Sequence, residues 1–344
     1  MSRVFVRGIG AVSPAGWGVG ALRDCLAAGA PLATQPMERP LWPQPLPYRT
    51  VPALKPLPAF FNHPRFRRTS PISQYAMAAA GEALGADAAR VRAGGLSLGV
   101  VFCVMAGCVN YSRRFYDEVL GNPATASPLV FPETVFNAPA SHIAALLGAG
   151  GINYTLVGDQ GTYLQAVALA ADWLASGRVA ACLVLAAEEV DWMMVDAFHM
   201  FNRDTVASAG AGALYLTGEA ASEGAVELSA VTDAQCFSAQ RSRRQALGKM
   251  RAELPPADPD HLLCDSRQNI AAMDADEAAA WQDWRGARIS PKAILGEALM
   301  AATAWQCVAA VDALQQGRHP AASVSAAGSN QQAIGAHFVR REFH

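Results

Sequence analysis

The chain has 344 residues, 52% of them hydrophobic and 16% charged, with a formal net charge of −2. That balance describes a folded protein with a large buried core. It offers no basic face for nucleic acid: the densest cationic cluster, Arg241, Arg243, Arg244, Lys249 and Arg251, reads as a solvated loop or helix. The seven cysteines are odd in number, lack CxxC spacing and mostly sit in apolar surroundings, as reduced core residues of a cytoplasmic protein do. No His/Cys cluster has metal-ligand spacing. Neither a secretory leader nor a run of about 18 uncharged apolar residues is present, so export and membrane spanning are not expected.

In chain order, residues 4–6 predict a buried strand, broken by Gly8-Ile9-Gly10 and a Ser13-Pro14-Ala15-Gly16 loop, then a helix over 19–26. Residues 31–64 are dense in proline, including Pro36, Pro40, Pro43, Pro45, Pro47, Pro52, Pro56 and Pro58, and predict an irregular arm. A helix over 74–84, an apolar strand over 98–104 and a short helix over 141–147 follow. Residues 152–157 then predict a strand, 164–176 a helix ended by Gly177, and 180–186 a second apolar strand. This alternation implies a largely parallel sheet with helices on both faces. The remainder repeats the theme: a strand at 226–231, a polar stretch over 241–260, a strand at 262–264, helices over 274–283 and 296–315, and strands at 323–326 and 335–339. The architecture expected is two α/β halves, 1–217 (carrying the arm) and 218–344, sharing one core.

The turn Gly158-Asp159-Gln160-Gly161-Thr162 between the strand at 152–157 and its helix has the form of an elbow that exposes a nucleophile. Its central residue is a glutamine, and an amide is not a nucleophile. Residues 4–16, together with this elbow, resemble the opening strand and active-site turn of β-ketoacyl-acyl-carrier-protein synthases, of the thiolase superfamily. The likeness runs through Ser127-Pro128 to Asn137, the acidic pair Glu188-Glu189, the strand Ala209-Gly210-Ala211-Gly212-Ala213-Leu214, and Ser290-Pro291-Lys292 through Gln306 with Gly317 and Pro320. It implies a thiolase fold, with duplicated α/β halves forming a layered αβαβα core.

Condensing members carry a cysteine and two histidines at three positions occupied here by Gln160, Ser266 and Glu297. Ser266 is placed by counting back from Asp274 in the segment Cys264-Asp265-Ser266-Arg267-Gln268-Asn269, and Glu297 by the turn from Lys292. The run Gly328-Ser329-Asn330-Gln331-Gln332 also departs from the family's glycine-rich loop, and the connection after Phe198-His199-Met200-Phe201 is short. Claisen condensation needs a thiolate to carry the acyl chain and imidazole-type donors to assist decarboxylation. An amide, a hydroxyl and a carboxylate supply neither, so no independent catalytic residue is expected. Glutamine at the elbow resembles the chain-length factors of type II polyketide and aryl polyene synthases. That resemblance implies a silent subunit that heterodimerises with an active ketosynthase, meets acyl carrier protein only indirectly, needs no cofactor and shapes the partner's acyl tunnel. The tunnel and interface residues it implies are Met105, Ala106, Cys108, Val109 and Phe115.

Two other readings stand beside this one. The first is a malonyl-carrier decarboxylase or unusual acyltransferase using Gln160 as an oxyanion donor; the second is a non-catalytic acyl-binding homodimer. Read alone, Glu297 is a first-turn helix carboxylate, Ser266 a loop hydroxyl, and Asp159 a hydrogen-bonding partner for the helix N-terminus. His261 and Cys264, three apart in a strand pattern, face opposite ways. His142 and His199 read as packed or capping residues.

Overall fold

The computed structural model describes residues 3–54, 56, 69–220, 224–328 and 331–342. The first part of the chain builds β1 (Phe5–Ser13), β2 (Gly16–Trp17), α1 (Val19–Ala28), β3 (Gln35–Arg39), β4 (Trp42–Arg49), α2 (Pro71–Leu84), α3 (Asp87–Arg92), β5 (Leu98–Val104), α4 (Val109–Gly121), α5 (Ala138–Leu147), β6 (Asn153–Val157), α6 (Thr162–Ala175), β7 (Ala181–Glu188), α7 (Trp192–Phe201), β8 (Ala207–Ser208) and β9 (Gly210–Thr217). The rest builds β10 (Val226–Val231), β11 (Gln235–Cys236), α8 (Arg243–Glu253), β12 (Leu262–Cys264), α9 (Ala271–Ala280), β13 (Ala287–Ile289), α10 (Pro291–Leu295), α11 (Leu299–Gln315), β14 (Ala321–Ala327) and β15 (Gln332–Arg340).

The main sheet runs β13-β12-β14-β15-β10-β1-β9-β7-β5-β6. Read outward from the central β10/β1 pair, β15-β14-β12-β13 mirrors β9-β7-β5-β6. The outer strands are parallel, whereas β14, β15, β10, β1, β9 and β7 join through antiparallel pairs. The sheet is therefore mixed, not largely parallel. Pairing direction near the centre depends on partners more than a hundred residues apart, such as Val6 and Leu216, which local hydrophobic pattern does not encode.

Five layers result. Helices α2 and α5 cover one half-sheet, α8, with α9 packed against it, covers the other, and α6 and α11 lie between them. The middle position explains α11: every residue from Leu299 to Leu314 is buried, as a helix apolar all round requires.

Three local expectations are corrected. Gly8-Ile9-Gly10 does not break β1; these glycines let α2 sit directly on the strand, since a Cβ at Gly8 or Gly10 would fall 2.0 Å from the carbonyl oxygen of Ala83 or Ala79. The proline-rich arm is not irregular over 35–49 but forms the β3–β4 hairpin, to which β8 adds a third strand. Pro43, Pro45 and Pro47 alternate, so their missing N–H groups all face one edge, and β8 pairs with β4 only at Tyr48 and Arg49. The rest of the arm at 55 and 57–64 lies outside the described residues. Within the polar stretch 241–260, α8 is closed by a Ser242/Gln245 capping box, and it buries Ala246, Leu247 and Met250 against the second half-sheet.

Candidate functional site

The elbow between β6 and α6 points Gln160 into the middle layer, where it is 3% exposed. From the second half, α10 and the turn before α11 bring Lys292 and Glu297, 1% and 3% exposed. Gln160 Nε2 donates to Glu297 Oε2 at 2.6 Å, and Lys292 Nζ donates to Gln160 Oε1 at 2.7 Å and to Glu297 Oε2 at 3.4 Å. Both ends of the amide are thus engaged. The other oxygen of Glu297 accepts from Leu299 N at 2.7 Å, so this carboxylate caps α11 and closes the triad at once.

Ser266 is buried at the end of β12 rather than on an open loop. Its hydroxyl donates to Ser325 O at 2.6 Å and accepts from Ala327 N at 2.9 Å. Lys292 Nζ lies 3.5 Å from Ala327 O, so β14 links Ser266 to the triad. The structure therefore joins Gln160 and Glu297 directly and through Lys292, while Ser266 reaches them only through the Ala327 backbone.

Asp159 does bond the helix N-terminus, accepting from Gly161 N at 3.0 Å. It also accepts from the backbone and side chain of Gln332. Burial raises its pKa, opposed by the Gln332 and backbone hydrogen bonds. Gln332 thereby holds the elbow from the second half, while Ser329 and Asn330 of the same run lie outside the described residues. Above the triad a cleft of about 50 Å³ is lined by Arg49, Asp204, Thr205, Gln268, Asn269 and Lys292. Sites that hold drug-sized ligands measure roughly 300–1,000 Å³.

The five candidate tunnel and interface residues gather where β5 runs into α4. Met105 is 38% exposed, Ala106, Val109 and Phe115 are half-buried, and Cys108 is buried, its thiol 3.7 Å from Val135 O. Phe115 packs against Phe131 with tilted rings, centroids 5.4 Å apart. Glu188 anchors this segment by accepting from Met105 N at 2.6 Å and Ala106 N at 3.1 Å. Glu189 accepts from Ile72 N at 3.0 Å and Asn110 N at 2.8 Å. Burial pushes the pKa of Glu188 up to about 8 and that of Glu189 up to about 7.

The rival groups do not converge. Cys264 lies in the core, and burial raises its pKa, whereas His261 sits beside His337, ring centroids 5.8 Å apart. His142 bonds Glu133 at 2.9 Å. Among the described residues no three His, Cys, Asp or Glu side chains form a metal cluster. Sequence reasoning missed three contributors, Lys292, Gln332 and Arg49. The readable signal was a lysine inside the apolar run Pro291-Lys292-Ala293-Ile294-Leu295, where a charge needs a buried partner.

This layered fold, with a strand-to-helix elbow meeting a buried second-half turn, is that of the thiolase superfamily. More narrowly, the chain belongs to the β-ketoacyl synthase family: residues 1–229 match the family model for the β-ketoacyl synthase N-terminal domain. Its fold is similar to that of the ishigamide ketosynthase/chain length factor, with a TM-score of 0.81 at 18% identity over 98% of this chain and 99% of that one. A β-ketoacyl synthase from Burkholderia phymatum superposes with a TM-score of 0.79 at 17% identity, over 99% and 100% of the two chains. The ketosynthase ApeO in complex with its chain length factor ApeC, from Xenorhabdus doucetiae, gives 0.77 at 14% identity, over 99% and 98%. No curated protein matches the sequence. Among the described residues no helix is long and apolar enough to cross a membrane.

Proposed function

We propose that this chain is a non-condensing ketosynthase-like subunit, a chain-length factor, that pairs with an active ketosynthase and shapes the tunnel in which the partner's acyl chain grows. The carrying observation is the Gln160 amide, bound at both ends by Lys292 and Glu297 where condensation needs a thiolate and two imidazoles. The small cleft above it supports the same reading. So does similarity to structures that hold a ketosynthase together with its chain length factor. The chain would act in the cytoplasm, in keeping with its seven unpaired cysteines, and acyl carrier protein would dock chiefly on the partner. The two duplicated halves would divide at 217/218, between β9 and β10.

The decarboxylase reading asks Gln160 to donate to a developing enolate. Its N–H already serves Glu297, and a carboxylate at that point repels the anion. Co-expression with an intact ketosynthase tests the proposal. A stable heterodimer whose product length changes when Ala106 is enlarged is expected, and obligate homodimers or unchanged products would overturn it. Purified chain incubated with malonyl-carrier protein should release no CO2.

A further inference from the structure

We infer that Lys292 and Gln160 join in an intramolecular isopeptide bond, a self-made link between the elbow of the first half and the α10 turn of the second. The inference is independent of the chain-length-factor reading. Lys292 Nζ lies 2.7 Å from Gln160 Oε1. With a C=O bond of about 1.23 Å, the amine is no more than about 4 Å from the amide carbon, close to the ~3–3.5 Å of a near-attack geometry.

The placement of Glu297 carries the argument. A single oxygen, Oε2, accepts from the leaving nitrogen at 2.6 Å and from the attacking nitrogen at 3.4 Å. Amide exchange must move protons from the second of these nitrogens to the first, and one fixed carboxylate touches both. Leu299 N holds that carboxylate in place, and Ala327 O helps orient the ammonium. All three side chains are buried, which excludes the water that would compete with the amine.

The reaction needs no outside reagent. Glu297 takes one proton from the Lys292 ammonium, and the freed lone pair attacks Gln160 Cδ, sending the carbonyl π electrons to Oε1. Glu297 then gives its proton to Nε2 and takes a second from Nζ. Collapse restores the carbonyl and breaks the Cδ–Nε2 bond. Ammonia leaves, carries the second proton away as ammonium, and the carboxylate is regenerated. One N–C bond forms, one breaks, and nothing is oxidised or reduced.

The test is the denatured intact mass of the purified full chain after prolonged incubation, with tryptic mapping. A mass lower than the sequence value by one ammonia is expected. With it, cleavage after Lys292 should be lost, and peptide 289–318 should be joined to the peptide containing Gln160. Glu297→Gln, shown folded by circular dichroism, should keep its full mass; if it does not fold, Lys292→Arg serves as the unlinked control. Folded wild-type protein of full mass that trypsin cleaves after Lys292 would overturn the proposal. So would ammonia lost from another site, or loss of water through a Lys292–Glu297 amide.

Discussion

Lys292 and Glu297 are an ammonium and a carboxylate taken almost wholly out of water, and each is tolerable because the other is there. Lys292→Met would strand the Glu297 charge beside the Gln160 amide, the comparison being with wild-type protein whose intact mass shows it unlinked. Truncating one partner of such a pair costs about 3–5 kcal/mol, and urea unfolding should show a loss of that size. A change within ~1 kcal/mol would mean that solvent reaches the pair. At the elbow, Gln160→Cys should not create a condensing enzyme. The new thiol would face Lys292 and Glu297, with Ser266 bonded to β14 and no imidazole to help decarboxylation. Any extended acyl product from the variant alone, measured with acyl- and malonyl-carrier proteins, would sink the silent-subunit reading. The family resemblance names Gln160, Ser266 and Glu297; the fold brings Gln160 and Glu297 into direct contact, whereas Ser266 bonds to the backbone of β14. That resemblance gives Lys292 no role, because its partner Gln160 lies 132 residues away in sequence, and only the fold shows that it is buried.

Continuous apolar runs located β5, β7 and β12 within a residue or two, because strands covered on both faces need them. Elements whose form depends on a neighbour were harder to read. The glycines of β1 look like a break until α2 is laid on them, and α8 looks like solvated chain because its apolar side is narrow, although Ser242 and Gln245 already spelled its cap. The first of these makes a prediction: Gly10→Ala forces a Cβ against Ala79 O and must push α2 away. Overpacking of this kind costs roughly 1–3 kcal/mol or more, which thermal unfolding would register; an unchanged midpoint would show that α2 is not seated there. The end of β7 gives a pH signature. Glu188 and Glu189 have folded pKa values raised by burial to about 8 and about 7, from an ordinary 4.5. The fold therefore binds protons more tightly than the unfolded chain in this range. Their stabilisation is complete below about pH 4.5 and is lost as pH rises through 7 to 8. Unfolding midpoints should fall over that window, and Glu188→Gln with Glu189→Gln should flatten the fall; equal slopes would remove these carboxyls as its source.

At the scale of the molecule, the sheet ends at β6, whose outer edge has no strand beside it among the described residues. Tyr154 and Val157 on it are 49% and 56% exposed. Nearby, Met105 and Phe136 are also exposed, with Phe136 packed over Gly107 at the β5–α4 junction. An open, apolar strand edge invites pairing with another chain, and the candidate interface residues follow β5, the strand paired with β6, at the β5–α4 junction and on α4. If an active ketosynthase covers this face, the contact should bury about 1,200–2,000 Å² in total and place β6 near its centre, where single side chains count most. Val157→Asp puts a charge there without disturbing the core, since the side chain already faces solvent. The variant should keep the wild-type unfolding midpoint and yet lose the partner, with affinity reduced at least about tenfold, a penalty of ~1.4 kcal/mol. Co-purification and size exclusion with the ketosynthase would measure this, and Lys249→Asp on the distant helix α8 supplies the matched control. A Val157→Asp chain that still co-elutes at wild-type affinity would move the interface off β6. Loss of binding by both variants would mean that charge anywhere on the surface, rather than the covered edge, governs assembly.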